Sequence, residues 1–537
     1  MVFGISIVII AAFVLWGVLN PVGLVQQADQ FLAFTTSNFG WFYLFATFGF
    51  LIFVIYLAFS KYGHIRLGGD EDEPEFSDMS WFAMLFSAGM GIGLVFWGVA
   101  EPVSHYTTPP QGAESQSAEA ARLAMRYAFF HWGLHPWAIY SVVGVILAYF
   151  QFRKKRSGLI SQTFYPLIGE KVNGGLGKCI DILAIIATSF GVATSLGLGT
   201  LQINGGLRFI WGVPNQVGIQ IVILIVLTVL YMLSATTGLE RGIKLLSNAN
   251  LLVALGLLVC TFVLGPTSFL LDTFTLTVGG YLQNLIQMSL RLTPFTQGTW
   301  VSNWTLFYWA WWIAWAPFVG MFIARVSKGR TIKEFVLGVL FIPSLFSFIW
   351  FSVFGGTGLH QQIMEGIKLS EAVSKDVTSA LFFALNHLPF GSVLAFISLL
   401  LIITFFITSA DSATYVLGMF SSGGSLNPSV KVKIAWGLTQ SAIAFVLLLS
   451  QGLDALQTAS IVTALPFSLI MALMCVSLMK SLNEEARNIR RKERAFRRAV
   501  EEMVEEEESG PINGERVRFL FLQSSFPFHT HQQFVFH

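Results

Sequence analysis

The sequence predicts an all-α membrane protein with twelve transmembrane helices. Of its 537 residues, 54% are hydrophobic and only 12% are charged, whereas a soluble domain carries about 25% charged residues. Many of its apolar segments also reach the length of about 20 residues that a helix needs to cross a bilayer. These two observations exclude an ordinary soluble domain, and no nucleic-acid partner is expected.

Twelve apolar segments follow one another along the chain. Their approximate bounds are 3–20, 41–60, 80–100, 124–151, 181–204, 216–234, 247–268, 303–325, 333–356, 391–416, 432–450 and 457–479. The first has no basic stretch before it and no signal-cleavage pattern after it, so we interpret it as a span rather than a cleaved signal. The fourth is long enough to tilt or to extend past the bilayer.

Basic residues fall in alternate loops between these segments. Lys61 and Arg66 follow the second segment, and the run RKKR at 153–156 follows the fourth. The loops at 20–40 and 450–457 contain no Lys or Arg. Because loops rich in Lys and Arg stay on the cytoplasmic side, the sequence predicts a multi-pass protein of the plasma (inner) membrane with both termini in the cytoplasm.

Two further segments have a different character. Residues 272–292 are amphipathic, which predicts an interfacial helix on the outer side of the membrane. Residues 480–509 form a charged tail that is basic first and acidic after. A solvated helix and a regulatory arm near anionic lipid are both open interpretations of this tail. Residues 511–537 fit neither pattern, and we leave them outside the fold prediction.

The third segment contains three glycines at alternate positions, in the stretch GMGIGLVFWGVAEP that starts at Gly89. On a helix Gly89 and Gly93 share one face, whereas Gly91 lies nearly opposite. Helix packing and local unwinding are both consistent with this spacing. Unwound backbone is tolerated at membrane depth only where it lines a cavity. A dinucleotide-binding loop is disfavoured, because no βαβ unit surrounds the glycines.

Aromatic residues cluster in the fourth and eighth segments. The six that stand out are Trp132, Trp137, Tyr140, Trp311, Trp312 and Trp315. The tryptophans of the eighth segment lie near its middle, whereas interfacial aromatic belts lie at span ends. Two explanations are open: aromatic core packing and a cage for a quaternary ammonium, which has no N–H to donate and is held by ring faces.

Hydroxyl groups lie in the middle of two other segments, at Thr408 and Ser409 and at Thr188 and Ser189. They suit a hard cation such as Na⁺, although hydroxyls also join helices in membranes. Asp411 lies near the predicted cytoplasmic end of the tenth segment, which predicts a role at a helix terminus.

Two histidines of the fourth segment, His131 and His135, are interpreted as satisfied core residues rather than proton carriers. Neither 80–121 nor 303–324 contains a Lys or Arg. The carboxylate of a substrate would therefore have to meet backbone N–H groups at a broken helix.

Taken together, these stretches resemble the betaine/choline/carnitine transporter (BCCT) family, and most closely its sodium-coupled glycine betaine members. The resemblance runs from about residue 3 to residue 485. The stretches that carry it lie at 86–102, 130–140, 181–202, 304–340 and 404–418. It implies a secondary transporter rather than an enzyme, importing glycine betaine by Na⁺ symport for osmoprotection and using no cofactor. Transport of carnitine, choline or ectoine, proton coupling and exchange are the alternatives.

The resemblance also implies an architecture. The fold would be LeuT-like, with two initial helices at 1–60 and inverted five-helix repeats at 80–268 (spans 3–7) and 303–479 (spans 8–12). An outer amphipathic helix at 272–292 and a cytoplasmic tail at 480–537 would complete the chain. Members of the family typically form homotrimers in the lipid bilayer, with the outer helix contributing to the contact.

The resemblance assigns roles to individual residues. A tryptophan box of Trp132, Trp137, Tyr140, Trp311, Trp312 and Trp315 would hold the trimethylammonium group. The backbone of Gly89, Met90, Gly91 and Gly93 would line the pocket. One Na⁺ site would use Ser87, Met90, Phe405, Thr408 and Ser409, and a second would use Thr188 and Phe318.

Two positions qualify these roles. Val192 stands where the second Na⁺ site would have another threonine, and an apolar side chain cannot coordinate Na⁺, so that site is incomplete. Choline-transporting members tend to carry an acidic residue at the position of Gly93. The glycine therefore favours a zwitterion of the betaine type over choline.

Overall fold

The computed structural model describes residues 1–89, 91–110, 112–237, 240–296 and 298–508. Within these ranges the chain is helical, and its β-pairing is limited to an isolated bridge between Arg66 and Thr331. The predicted all-α class is confirmed. Met90 and the segment 511–537, both named in the sequence predictions, lie outside the described residues.

Eighteen α-helices are found in the described part of the chain. In chain order they are α1 (Val2–Leu19), α2 (Pro21–Phe59), α3 (Asp78–Gly89), α4 (Ile92–Thr107), α5 (Ala118–Trp132), α6 (Leu134–Ala148), α7 (Tyr165–Ile168), α8 (Gly175–Trp211), α9 (Val217–Thr237), α10 (Glu240–Leu264), α11 (Thr267–Ser289), α12 (Phe307–Val326), α13 (Ile332–Ile363), α14 (Leu369–Lys375), α15 (Ala380–Asn386), α16 (Gly391–Ser421), α17 (Val430–Ser450) and α18 (Leu453–Glu508). Among the described residues, eleven helical segments are long and apolar enough to cross a membrane.

The predicted third span is not a continuous helix. It consists of α3, which ends at Gly89, and α4, which begins at Ile92, of 12 and 16 residues. Gly91 precedes α4 with an extended backbone, at φ −162° and ψ −179°. Of the two explanations for the glycines, local unwinding therefore applies at Gly91. Because each half is short, eleven rather than twelve segments qualify as spans by their length, and the count of twelve stays a prediction.

The predicted fourth span is also interrupted. Helix α5 ends at Trp132 and α6 begins at Leu134, with Gly133 between them at φ −95° and ψ −130°. Pro136 lies in the first turn of α6 and has no N–H to donate to the carbonyl of Trp132. The missing N–H group of Pro136 therefore contributes to the break between α5 and α6. A π-helical turn at Tyr149–Arg153 continues the segment.

Several helices are longer than the apolar pattern indicates. Helix α16 continues to Ser421, so Asp411 lies in its interior. The predicted helix-terminus role of Asp411 is therefore wrong. Helix α18 runs without interruption from the twelfth apolar segment into the charged tail. Polar residues of good helix propensity prolong a helix once an apolar segment has formed it.

The segments 118–153 and 302–326 are the most buried of the candidate spans, whereas α1, α9 and α10 expose most of their surface. Helix α12 packs most extensively against α6, and also against α8 and α18. The aromatic-rich helices therefore lie at the centre of the molecule, where they surround a cavity.

Candidate functional site

A cavity of about 880 Å³ lies between the broken third segment and helices α5, α6, α12 and α16. All six rings of the tryptophan box line it, together with Gly91 and Gly93. The structure thus brings the predicted residues of two distant segments to one wall. Gly89 ends α3, and Met90 lies outside the described residues. The role of these groups in binding stays a prediction.

Hydrogen bonds from the indole N–H groups fix four of the rings. Trp315 donates to the carbonyl oxygen of Gly191 at 2.8 Å, and Trp312 donates to that of His131 at 3.0 Å. Trp311 donates to the hydroxyl of Ser195 at 3.2 Å, and Trp132 donates to the carboxylate of Glu101 at 2.8 Å. Each ring is held by its polar edge, so its apolar surface remains available to the cavity.

The rings also pack against one another. Trp311 and Trp312 stack with centroids 4.8 Å apart and an interplanar angle of 15°. Trp132 meets Trp312 edge to face at 4.8 Å, and Tyr140 meets the same ring at 6.2 Å. The two explanations for the aromatic cluster are therefore compatible, because the rings form a packed wall and line a cavity at once.

The glycines of the broken segment differ in their surroundings. A Cβ atom on Gly93 would lie 2.5 Å from Cη2 of Trp311 and 3.1 Å from Cη2 of Trp132. A Cβ atom on Gly91 would meet nothing within 4 Å. Gly93 therefore lets α4 approach the tryptophan box closely, whereas Gly91 provides extended backbone at the cavity wall.

Three of the five residues of the first predicted Na⁺ site lie at the same cavity. Phe405, Thr408 and Ser409 line it from α16. The hydroxyl of Thr408 lies 3.1 Å from the carbonyl oxygen of Thr404 and 3.2 Å from that of Phe405. Ser87 lies in α3, but its side chain and Met90 are outside the described part of the structure. The structure therefore shows oxygen groups from one helix of this site.

The residues of the second predicted Na⁺ site are placed differently. Phe318 lines the cavity and meets Trp315 edge to face at 5.1 Å. Thr188 is fully buried and donates its hydroxyl to the carbonyl of Ala184 at 2.8 Å. Val192 is also buried, at 1% exposure. Thr188 is not among the described residues that line the cavity, so the structure does not bring this set together there.

Glu101 is a buried carboxylate that the sequence analysis did not single out. It is fully buried in α4 and lies within hydrogen-bond distance of four side chains. His131 Nδ1 is 2.7 Å and His105 Nε2 is 3.1 Å from Oε1. Tyr308 and Trp132 donate to Oε2 at 2.6 and 2.8 Å. An acidic residue directly after an apolar segment was the available signal, but the predicted span ended at residue 100.

The predicted core role of the two histidines agrees with their contacts. His131 is fully buried and bonded to Glu101 and Thr305, so it is satisfied. His135 is buried with Nε2 2.8 Å from the hydroxyl of Ser289, but its Nδ1 has no hydrogen-bond partner among the described residues. Neither histidine is among the described residues that line the cavity.

The far end of the cavity is polar and charged. Asp411, Asn427, Arg325 and Lys433 line it. Arg325 and Lys433 flank loops that the distribution of basic residues places in the cytoplasm. Asp411 is only 8% exposed, and its carboxylate has no hydrogen-bond partner among the described residues. The cavity therefore extends from the tryptophan box toward the predicted cytoplasmic side.

Comparison with known proteins gives long matches. The model of the BCCT, betaine/carnitine/choline family transporter, matches residues 1–487. The chain is 52% identical over 495 residues to the glycine betaine transporter OpuD of Bacillus subtilis (strain 168), covering 92% of this chain and 96% of that protein. It is 51% identical over 484 residues to the ectoine/hydroxyectoine transporter of Virgibacillus pantothenticus, covering 90% and 96%. It is 48% identical over 484 residues to a probable glycine betaine transporter of Desulfitobacterium hafniense (strain Y51), covering 90% and 97%.

Proposed function

The chain belongs to the betaine/carnitine/choline family of transporters, and from this premise we propose that it imports a quaternary-ammonium zwitterion, most specifically glycine betaine. The family and the matched relatives are transporters rather than enzymes, and the chain is a multi-pass helical membrane protein. The substrate, the coupling ion and the mechanism below are proposals.

The tryptophan box is the observation that supports this substrate. A trimethylammonium group offers no hydrogen bond to a polar partner and is attracted to the faces of aromatic rings. Trp132, Trp311 and Trp312 meet at centroid distances of 4.8 to 6.2 Å. Their N–H groups already bond to the protein, so they present ring surface to the cavity, which suits a group without donors.

The carboxylate of the substrate would meet the start of α4. Helix N-termini carry unpaired N–H groups and a partial positive charge, and α4 begins at Ile92, directly after the extended Gly91. The two cationic residues that line the cavity, Arg325 and Lys433, stand with Asp411 at its far end. A zwitterion would therefore lie with its cation at the rings and its anion at the helix start.

Sodium coupling is proposed from the oxygen groups of α16. Thr408 and Ser409 line the cavity together with Phe405, and hydroxyl and carbonyl oxygens suit a hard monovalent cation. Val192 leaves the second set without its hydroxyl, so we propose coupling through the first site. Alternating access by the inverted repeats of a LeuT-like fold would then use the Na⁺ gradient to accumulate the osmoprotectant.

Uptake into proteoliposomes tests the proposal directly. With an inward Na⁺ gradient, labelled glycine betaine should accumulate above its external concentration, and the accumulation should saturate. Replacing the gradient with equal Na⁺ on both sides should abolish accumulation while leaving binding intact. Accumulation that ignores Na⁺ would overturn the coupling, and the absence of betaine binding would overturn the substrate.

Ectoine is the second candidate substrate. The supporting observation is the 51% identity to a protein named an ectoine/hydroxyectoine transporter, close to the 52% identity to the betaine transporter. Competition of unlabelled ectoine against labelled betaine ranks the two. Because ectoine lacks a quaternary ammonium, we expect betaine to be preferred.

We also propose a homotrimer. Helix α11 presents Leu271, Leu276, Leu282 and Ile286 as exposed apolar side chains, which a neighbouring protomer or lipid would cover. Light scattering of the purified protein, corrected for detergent, measures the mass of the assembly. A single-protomer mass under conditions that preserve transport would exclude the trimer.

A further inference from the structure

The carboxylate of Glu101 lies directly behind the tryptophan box. It is fully buried, and its four neighbours come from three places in the chain: His105 from its own helix, His131 and Trp132 from α5, and Tyr308 from α12. An ionised carboxylate has about four lone-pair sites and accepts hydrogens at all of them. The cluster thus solvates one anion with four donors.

The two histidines do not neutralise this anion. The Nδ1 atom of His105 is buried and has no hydrogen-bond partner. A protonated ring would bury a second N–H without an acceptor, so the neutral form with hydrogen on Nε2 fits. In His131, Nδ1 lies 2.7 Å from Glu101 Oε1, and Nε2 lies 3.0 Å from the hydroxyl of Thr305. A hydroxyl can donate as well as accept, so one hydrogen, on Nδ1, accounts for both contacts of the ring. With both rings in these neutral tautomers, the cluster keeps a net negative charge.

One of the four donors belongs to the box itself. Trp132 gives its indole N–H to Glu101 Oε2 at 2.8 Å, while its ring lines the cavity and meets Trp312 at 4.8 Å. A hydrogen bond from an indole N–H to an anion pushes electron density into the ring, which strengthens attraction of a cation to its face. Trp312 makes the corresponding bond to an uncharged carbonyl, that of His131.

We propose that Glu101 is a specificity-determining residue of the site. Acting through Trp132, its buried charge sets the preference for a cationic head group over an uncharged group of the same shape. The charge also repels a carboxylate, so it orients a zwitterion with the ammonium at Trp132 and the carboxylate toward the start of α4. This inference rests on the proposed function, because it needs a quaternary ammonium in the box.

A carbon isostere of the substrate isolates the charge effect. The anion of tert-butylacetic acid has the shape of glycine betaine with carbon in place of the quaternary nitrogen. The measured quantity is the ratio of the two affinities, obtained by competition against labelled betaine on the full-length purified protein. We expect wild type to prefer betaine. In Glu101→Gln, the ratio of the betaine affinity to the isostere affinity should fall about tenfold.

Tyr308→Phe is the matched control within the cluster. It removes one hydrogen bond from the same oxygen but leaves the charge, so the ratio should be retained whatever the absolute affinity. Equal losses in Glu101→Gln and Tyr308→Phe would show a purely structural role and overturn the inference. An unchanged ratio in Glu101→Gln would overturn it as well. If wild type itself does not prefer betaine, the proposed function fails instead.

A second pair of variants answers the question even if Glu101→Gln does not fold. Trp132→Phe and Trp312→Phe each replace an indole of the box by a smaller ring without an N–H. Only the first loses a ring that is bonded to a charge. Trp132→Phe should lower the affinity ratio more than Trp312→Phe does, and equal or reversed effects would contradict the role of Glu101.

Discussion

Each of the four anchored indoles uses its N–H group for the protein and its ring for the cavity. Burying an unpaired N–H costs free energy, and the acceptors at Gly191, His131, Ser195 and Glu101 remove that cost. The same bonds prevent the rings from rotating. A ligand that binds by ring faces therefore finds them already oriented, and less conformational entropy is lost on binding.

Gly93 can be tested against Gly91. A methyl group at Gly93 would approach Trp311 to 2.5 Å and displace rings of the box. Overpacking of this kind costs about 1–3 kcal/mol, so Gly93→Ala should weaken betaine binding by about tenfold. Gly91→Ala meets no atom within 4 Å and its extended backbone accepts alanine, so its loss should be smaller. Titration of labelled betaine measures both, and the opposite order would contradict the role of Gly93.

The sodium residues give a second matched pair. Thr408→Val removes a hydroxyl that lies at the cavity, so the Na⁺ concentration for half-maximal uptake should rise at least several-fold. Thr188→Val removes a fully buried hydroxyl, and Thr188 is not among the described residues that line the cavity, so this variant should leave the Na⁺ dependence unchanged. Uptake measured across a range of Na⁺ concentrations decides between them. A larger shift in Thr188→Val would favour the second Na⁺ site.

The sequence predicted the aromatic wall better than its polar support. Tryptophans in the middle of an apolar segment are visible in any one chain, and all six predicted rings line the cavity. Glu101 lies in α4, whereas its partners His131 and Tyr308 come from other segments, so only the fold brings them together. Asp411 was misplaced for a related reason, because the end of an apolar pattern does not mark the end of a helix.

Among the helices, the interruptions near the cavity shape the candidate site. The break between α3 and α4 exposes backbone at Gly91, and the break at Gly133 sets the direction in which α6 leaves α5. Both breaks contain glycine, and the second is followed by a proline in the first turn of α6. The glycines and the proline that signal these breaks are therefore visible in the local sequence. Whether a glycine serves helix packing or unwinding depends on the positions of the neighbouring helices, which the sequence does not give.

Helix α18 carries a contact with a testable consequence. Glu485 accepts hydrogen bonds from Arg153 and Lys154, the latter at 2.6 Å, and from the hydroxyl of Tyr149 at 2.7 Å. Arg153 also bonds to Asp70 at 2.8 Å. This clamp joins the charged end of α18 to the π-helical turn that follows α6. Gln151 of the same turn lines the cavity, so the clamp fixes an element that contributes to the cavity wall.

Two truncations separate the clamp from the rest of the tail. Deleting 484–537 removes Glu485 and leaves the partly buried Arg153 and Lys154 without this anion. Deleting 490–537 retains Glu485. We expect the first deletion to lower the apparent Tm by several degrees and the second to leave it close to wild type, as measured by thermal unfolding in detergent. Uptake across a range of osmolalities then shows whether the tail regulates transport. Unchanged uptake in both deletions would exclude a regulatory arm.

For the whole molecule, the residues that line the cavity indicate which side of the membrane the cavity faces. It begins at the tryptophan box and ends at Asp411, Asn427 and Lys433, on the side that the basic loops place in the cytoplasm. The opposite side of the box is closed by the Glu101 cluster and by Trp300 and Trp304, which pack on His105 with ring centroids 4.9 and 4.4 Å apart. In the proposed alternating-access cycle, this lining fits a conformation whose cavity faces the predicted inner side.

Labelling of single cysteines tests the predicted orientation of the chain in the membrane and the closing of the cavity when substrate binds. In a variant without Cys179, Cys260 and Cys475, Ser412→Cys places a thiol at an exposed position of the cavity wall. A membrane-impermeant maleimide should label it in inside-out vesicles, and saturating betaine with Na⁺ should slow the labelling because the occupied protein closes.

Gln451→Cys, in an exposed loop without basic residues, should be labelled only from the outside of intact cells. If Gln451→Cys instead reacts from the inside, the orientation of the chain is reversed. If Ser412→Cys reacts at the same rate with and without betaine and Na⁺, binding of the substrate does not close this cavity.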